Sequence, residues 1–419
     1  MKKVITYGTF DMLHYGHRNL LERAKAMGDY LVVGVTSDDF DRRRGKINTH
    51  QSLMERMAGV RALEIADEII VEEYVGQKID DIKRYEIDIF TVGSDWEGEF
   101  DYLKDYCEVV YLPRTEGVSS TDIRTHNGAL ALKIIGNHSV AVKFAKECSY
   151  VNGVAVTNDN PDAVYIDSHP RRHYKDIKKA LNEGKHVIAE SPIATSGAEC
   201  EELFALAKAN DLVLMDGIKS AYSTAYARLL LLVKSGAIGS VVSVDATCTS
   251  LEDIIRGPED IKEKWNSICA WGPTALLPVF QILGTDYKSK NVTSFHVDEE
   301  KTFDGFTKID FVYDRAVASI KVAKTAKSEG NLVITGTRGY IYVPAPWWKM
   351  DYFEVRYENA ENNKRHFYQL DGEGIRYEIV AFAKTIETGR NYSYISEEES
   401  VAIASVIEDC MNIWKADVR

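Results

Sequence analysis

Apolar and polar positions along the chain fall into three regimes. In the first, short continuous apolar runs alternate with helix-period stretches. Val4 and Ile5 read as a buried strand, 19–27 (NLLERAKAM) as a helix, 30–35 (YLVVGV) as a second strand and 107–112 (CEVVYL) as another. Runs apolar at every position, rather than at every second one, belong to strands covered on both faces, as in parallel sheets. The second regime repeats the scheme from residue 129. Strands at 129–135 (ALALKII), 163–167, 185–189 and 212–215, with helices at 173–183 and 198–210, alternate as βαβ units do. From Val241 the strands lengthen and alternate, as at 307–313 and 317–322, and a helix over 397–414 closes the pattern. That predicts a mixed or mainly antiparallel sheet. The expected class is α/β: a Rossmann-like domain, a truncated Rossmann-like domain, and an α+β domain with a mainly antiparallel sheet. The polar stretch 119–127 (SSTDIRTHN) is the natural seam, giving domains 1–126, 127–240 and 241–419.

Composition narrows the partners. A chain of 419 residues that is 45% hydrophobic has material for more than one core. A net charge of −13 argues against nucleic acid and anionic membranes, which call for a basic surface. No apolar run approaches the ~20 residues that cross a bilayer, and MKKVITYGTFD lacks the apolar stretch of a signal peptide, so cytoplasmic residence is expected. The six cysteines, Cys107, Cys148, Cys200, Cys248, Cys269 and Cys410, are scattered with no CxxC spacing. Reduced structural thiols are the expectation, and no side chain is assigned as a metal ligand.

The chemistry concentrates near the start. Tyr7-Gly8-Thr9-Phe10-Asp11-Met12-Leu13-His14-Tyr15-Gly16-His17 ends a strand, turns, and puts two histidines three residues apart at a helix opening. Free N–H groups and the positive dipole end favour an anion there, so His14 and His17 are placed to meet phosphate. A basic loop with Arg42, Arg43, Arg44 and Lys46 follows the second strand, and Arg114 to Thr121 (RTEGVSST) follows the strand at 107–112. Three phosphate-compatible segments after strands of one α/β unit converge, because ligands of such sheets collect at the carboxyl ends of strands.

These motifs, GTFDMLHYGH, Gln77-Lys78, the run GSDWEG from Gly93 to Gly98 and RTEGVSST, resemble the glycerol-3-phosphate cytidylyltransferase family over residues 1 to about 125. The resemblance implies transfer of CMP from CTP to a polyol phosphate, glycerol 3-phosphate first, with Mg²⁺ assisting and pyrophosphate leaving, in the service of surface-glycan or teichoic-acid-like synthesis. Catalytic roles would fall to His14, His17, Lys46 and Arg114. CTP would be held by Thr9, Phe10, Asp11, His14, His17, Arg44, Lys46, Gly93, Asp95, Arg114, Thr115, Ser119, Ser120 and Thr121, and the acceptor by Lys78 with Arg44. One departure stands out: Glu64 occupies a position where the family usually has arginine, so either the acceptor differs or Arg61 substitutes.

From about residue 130 the segments DAVYID, HYKDIKKALNEGKHVIAESP, GAIGSVVSVDA and ITGTRGYIYVPAPWW resemble the Gfo/Idh/MocA oxidoreductase family. The fold implied is shared, but the chemistry is not. His138 stands where a second glycine lets backbone approach a pyrophosphate. Gly136 and Asp162 leave too little chain for two successive βαβ units, so the part that grips the adenosine ribose is expected to be shortened. Ser191 replaces the family's lysine, and a serine cannot act as the ammonium would. Gly272 to Phe280 (GPTALLPVF) carries neither Asp nor His. NAD(P) binding is therefore doubtful, and a homo-oligomerising or scaffolding second half is expected. The alternatives are a bifunctional enzyme reducing a keto-sugar phosphate with NAD(P)H, and a module that binds sugar or nucleotide without turnover.

Overall fold

The computed structural model describes residues 1–11, 13, 15–37, 40, 51–74, 76–113, 129–136, 139–151, 153–251, 263–368 and 370–417; of Asp95, Asp371 and Asp417 it describes the backbone only. The chain divides into two compact units, Met1–Ala129 with Ser149–Ala155, and Leu130–Cys148 with Val156–Arg419. Of the tryptophans, Trp96 belongs to the first unit, and Trp265, Trp271, Trp347, Trp348 and Trp414 to the second.

The first unit is built on strands β1 (Lys3–Gly8), β2 (Tyr30–Thr36), β3 (Glu68–Glu72), β4 (Ile89–Gly93) and β5 (Glu108–Leu112). They form a parallel sheet in the order β3-β2-β1-β4-β5. The order reverses between β1 and β4, which makes the carboxyl ends of those two strands the topological switch point. Helices α1 (Tyr15–Lys25), α2 (Leu53–Ala62) and α3 (Gln77–Tyr85) connect the strands. Successive strand residues enter opposite cores. Val4, Leu31 and Val33 pack with Leu21, Ala24 and Val60, whereas Ile5, Tyr7 and Val32 pack with Ile82, Phe90 and Leu103. Coverage on both faces is why these strands read as unbroken apolar runs.

α1 begins at Tyr15 and ends at Lys25, whereas the periodic stretch was 19–27. Its first turn is polar, so the apolar period alone starts late. α2 is fixed at its start by a capping box in which the Ser52 backbone N–H donates to Glu55 at 2.7 Å and the Glu55 N–H donates back to the Ser52 hydroxyl.

The second sheet has the order β10-β9-β8-β6-β7, from β6 (Leu130–Gly136), β7 (Val154–Val156), β8 (Ala163–Asp167), β9 (His186–Glu190) and β10 (Leu214–Gly217). β7 is three residues long, and the segment to β8 is too short for another helix and strand. The helices here are α4 (Ser139–Cys148), α5 (Pro170–Asn182) and α6 (Gly197–Ala209). α5 starts three residues before the periodic stretch because Pro170 takes the first helical position and the His169 side chain caps it.

After α7 (Thr224–Lys234) come β11 (Val241–Thr249), α8 (Ser267–Leu283), β12 (Ser289–His296), β13 (Asp304–Val312), β14 (Val317–Ala323), β15 (Leu332–Gly336), β16 (Tyr340–Val343), β17 (Tyr352–Arg356) and β18 (Lys364–Phe367). They make an eight-stranded sheet, β12-β13-β14-β11-β15-β16-β17-β18, in which β11 pairs parallel with β14 and the other described pairings are antiparallel. Helices α9 (Ile375–Thr388) and α10 (Glu397–Asp417) complete the second unit.

Candidate functional site

At the switch point of the first sheet, β1 runs into the turn Thr9-Phe10-Asp11. Phe10 has φ 54° and is 1% exposed. A left-handed backbone costs a non-glycine residue roughly 1–2 kcal/mol, and burying a phenyl ring returns roughly 1.5–3 kcal/mol, so the ring holds the turn in place. Its edge meets the His17 imidazole, centroids 5.6 Å apart. His17 is the third residue of α1 and so lies in the first helical turn, at the positive end of the helix dipole.

Arg56, on α2 and wholly buried, ties the turn to the neighbouring strand. Its Nη1 donates to the Thr9 carbonyl at 2.7 Å and the Thr36 carbonyl at 2.8 Å, and its Nε donates to the Gln51 carbonyl at 3.2 Å. The Gln51 N–H in turn donates to the Asp11 carboxylate at 3.0 Å. The ends of β1 and β2 and the start of α2 are thus one hydrogen-bonded frame.

A second polar cluster lies at the same edge. Lys78 on α3 forms a buried ion pair with Glu72 at the end of β3. The Tyr7 hydroxyl donates to Asp81 at 2.8 Å, and Gln77 Nε2 reaches the same carboxylate at 3.1 Å. Burial, then the Asp81 carboxylate, pushes the Tyr7 hydroxyl far above its ordinary range, so it stays a donor. Gly34 makes room for this ring, since a Cβ there would lie 2.2 Å from it. Gly93 ends β4 and precedes the short turn Ser94–Trp96 that carries the Asp95 backbone.

Of the residues singled out from sequence, the structure brings Thr9, Phe10, Asp11 and His17 together, and puts Lys78, Gly93 and the Asp95 backbone on elements of the same sheet. His14, Arg44, Lys46, Arg114, Thr115, Ser119, Ser120 and Thr121 lie outside the described residues, as do Arg42, Arg43, His138 and the seam 119–127. Arg61 and Glu64 are both exposed, and Glu64 has φ 56°. Arg56, Glu72 and Asp81 escaped the sequence pattern. The available signal was Ser52-x-x-Glu55, which announces a helix whose fourth residue is Arg56.

The corresponding edge of the second sheet is carboxylate-rich. Gly136, φ 145°, ends β6 where a Cβ would lie 2.6 Å from the Asp167 carbonyl oxygen, so strand packing already demands this glycine. Glu190 accepts from the Tyr165 hydroxyl at 2.6 Å, and Asp216 accepts from Ser400 at 2.8 Å. Burial pushes these carboxyls up to about 7 and about 6. Glu378 of α9 is 1% exposed, neither of its oxygens has a hydrogen-bond partner among the described residues, and burial followed by Glu190 raises it well above the usual range. Ser191 is buried beside them. The ammonium of Lys219 is bonded to Glu373 at 2.6 Å. Burial opposes the charge on Glu373, yet bonds from Lys219 and Lys349 hold it down at about 2.

The first unit has the sheet order and edge geometry of a nucleotide-handling α/β domain. A family model described as cytidylyltransferase-like matches residues 5–126, and one described as an oxidoreductase family with an NAD-binding Rossmann fold matches residues 123–218. The glycerol-3-phosphate cytidylyltransferase of Bacillus spizizenii is 51% identical over 130 residues, 31% of this chain and 100% of the relative. That of Staphylococcus aureus is 49% identical over 124 residues, 30% of this chain and 93% of the relative. The chain belongs, through its first unit, to the glycerol-3-phosphate cytidylyltransferase family of nucleotidyltransferases.

A 3-ketoreductase from Actinomadura kijaniata, solved with NADP, superposes with a TM-score of 0.58 at 17% identity, covering 68% of this chain and 97% of that one. An aldose-aldose oxidoreductase from Caulobacter crescentus, solved with glycerol, gives 0.57 at 16% identity, covering 70% and 98%. The second part of the chain therefore shares the Gfo/Idh/MocA-type fold, a Rossmann-like region followed by the mixed sheet.

Proposed function

We propose that the protein transfers CMP from CTP to a polyol phosphate, glycerol 3-phosphate being the first candidate, and releases pyrophosphate. The observation that supports this best is the frame at the switch point: a turn held by Arg56, with His17 beside it in the first turn of α1, inside a domain that spans the whole of a 51% identical relative. A phosphate oxygen of the acceptor attacks the α-phosphorus of CTP. The bond from that phosphorus to the oxygen bridging to the β-phosphorus breaks, and pyrophosphate leaves with its electron pair. No covalent intermediate on the protein is required. Catalysis is positioning plus stabilisation of the charge that builds on the phosphoryl oxygens, with His14, His17, Lys46, Arg44 and Arg114 as the donors and Lys78 at the acceptor.

Among the described residues no group of three or more His, Cys, Asp or Glu could hold a metal ion. Mg²⁺ would enter with the triphosphate, whose oxygens are the hard ligands it favours, and would supply charge neutralisation.

The second unit serves assembly rather than hydride transfer. The short β7, the serine at position 191 and the buried Glu378, without a hydrogen-bond partner among the described residues and beside other carboxyls, fit a dinucleotide and its substrate poorly. No helix among the described residues is long and apolar enough to cross a membrane. The test is pyrophosphate release: it should require CTP, Mg²⁺ and acceptor together, and stop with EDTA. No release with any small polyol phosphate contradicts the assignment.

A further inference from the structure

Lys78 is an unusual cation to offer a ligand, because it is already held on three sides. Its ammonium pairs with Glu72, the two side chains being 9% and 1% exposed. It lies 4.5 Å from the centroid of the Tyr7 ring and 5.5 Å from that of Phe100. The other Glu72 oxygen accepts from the Thr36 hydroxyl at 2.8 Å, so the carboxylate is itself fixed to the end of β2. Asp81, one turn along α3, is occupied by Tyr7 and Gln77. One carboxylate thus pairs with the ammonium and a second lies one turn along the same helix, at the edge where the acceptor phosphate would arrive.

We propose that Glu72 is the positioning residue of the acceptor site, holding the Lys78 ammonium where the acceptor phosphate meets it. This rests on Lys78 being the acceptor cation in the nucleotidyl transfer above. A four-carbon stem with a point charge at its end has many rotamers, and cation–π contacts alone are soft. The carboxylate adds direction. It also keeps the ammonium charged, because a buried lysine without an opposite charge gives up its proton readily. The geometry therefore assigns Glu72 an effect on the acceptor and none on CTP, which approaches from β1 and α1.

The experiment uses the full chain, with glycerol 3-phosphate and CTP varied separately from pH 6.5 to 9, in wild type, Glu72→Gln, Glu72→Asp and Lys78→Met. Glu72→Gln should raise the acceptor KM by roughly tenfold or more, the usual scale for losing a hydrogen bond to a charged group, and leave the CTP KM within about twofold. Its acceptor KM should climb further toward pH 9 while that of the wild type stays flat, and Glu72→Asp should recover part of the loss. A purely structural role predicts that both KM values and the melting temperature move together with no added pH dependence; that result overturns the assignment. So does an acceptor KM in Glu72→Gln within about twofold of wild type at every pH. An unchanged acceptor KM in Lys78→Met removes the cation role of Lys78 and this proposal with it, even where turnover stands. A wild-type chain that turns over no polyol phosphate fails one step earlier, at the reaction itself.

Discussion

Arg56 Nη1 stands 2.7 Å from the carbonyl oxygen of Thr9, and the same nitrogen reaches Thr36 on the neighbouring strand. A single guanidinium thus sets the height of the Thr9-Phe10-Asp11 turn against β2. Replacing it with lysine supplies one ammonium where a planar fork made three bonds. Arg56→Lys should lower kcat/KM for CTP by ~10- to 10²-fold through misplacement of the turn. Arg56→Met, which orphans buried carbonyls, should in addition destabilise the first unit by ~1–3 kcal/mol. Steady-state pyrophosphate release and urea melts check both; wild-type kcat/KM in the lysine variant would sink the idea.

His17 is asked to act on charge that appears only as the α-phosphorus is attacked. His17→Ala should lower kcat by ~10²–10³-fold with little change in CTP KM, the pattern for loss of a preorganised donor. His14→Ala is expected to behave alike. Near-wild-type turnover in either variant contradicts the assigned chemistry even if the product is right.

Much of this could be read from the chain alone. Strands covered on both faces announce themselves, and β8 (Ala163–Asp167) falls where the apolar run puts it. Helix starts are harder, because first turns such as Tyr15 to Arg18 are polar and carry no apolar period. Sequence motifs gave His17 and Lys78 as candidates, but not Glu72 or Arg56. A buried cation and a buried carboxylate look like solvated charges until partners far apart in the chain, such as Thr36 with Glu72 or Thr9 with Arg56, are brought to one sheet edge.

The Glu378 carboxyl offers a pH test of the second unit. Its ionisation in the folded state is pushed above the ordinary carboxylate range by burial and by Glu190, and Glu190 itself is pushed up to about 7. Groups raised in this way hold protons in the folded state that the unfolded chain has released. Their contribution is fully present below the unfolded value near pH 4 and is lost as pH rises through the folded values. Glu378→Gln should therefore raise the melting temperature at pH 8, by roughly 2–4 °C for each kcal/mol recovered, with the gap closing near pH 4. A variant that melts at or below wild type at pH 8 contradicts this.

NADPH titrated into the full chain should produce neither energy transfer from tryptophan nor a shift in melting temperature, because the edge beyond β6 ends at the three-residue β7 and Ser191 offers no ammonium. Saturable binding, with oxidation of NADPH in the presence of a ketose phosphate, would establish the bifunctional alternative in its place.

The uneven placement of tryptophan turns the molecule into its own two-channel reporter. Trp96 packs 6.0 Å from Phe100, whose ring lies 5.5 Å from the Lys78 ammonium, while Trp265, Trp271, Trp347, Trp348 and Trp414 all belong to the second unit. Tryptophan emission from a Trp96→Phe chain comes from the second unit alone. Subtracting it from the wild-type spectrum isolates one indole packed on the ring beside Lys78, the proposed acceptor cation, so occupancy of the proposed site and unfolding of the rest can be followed in the same cuvette without a label.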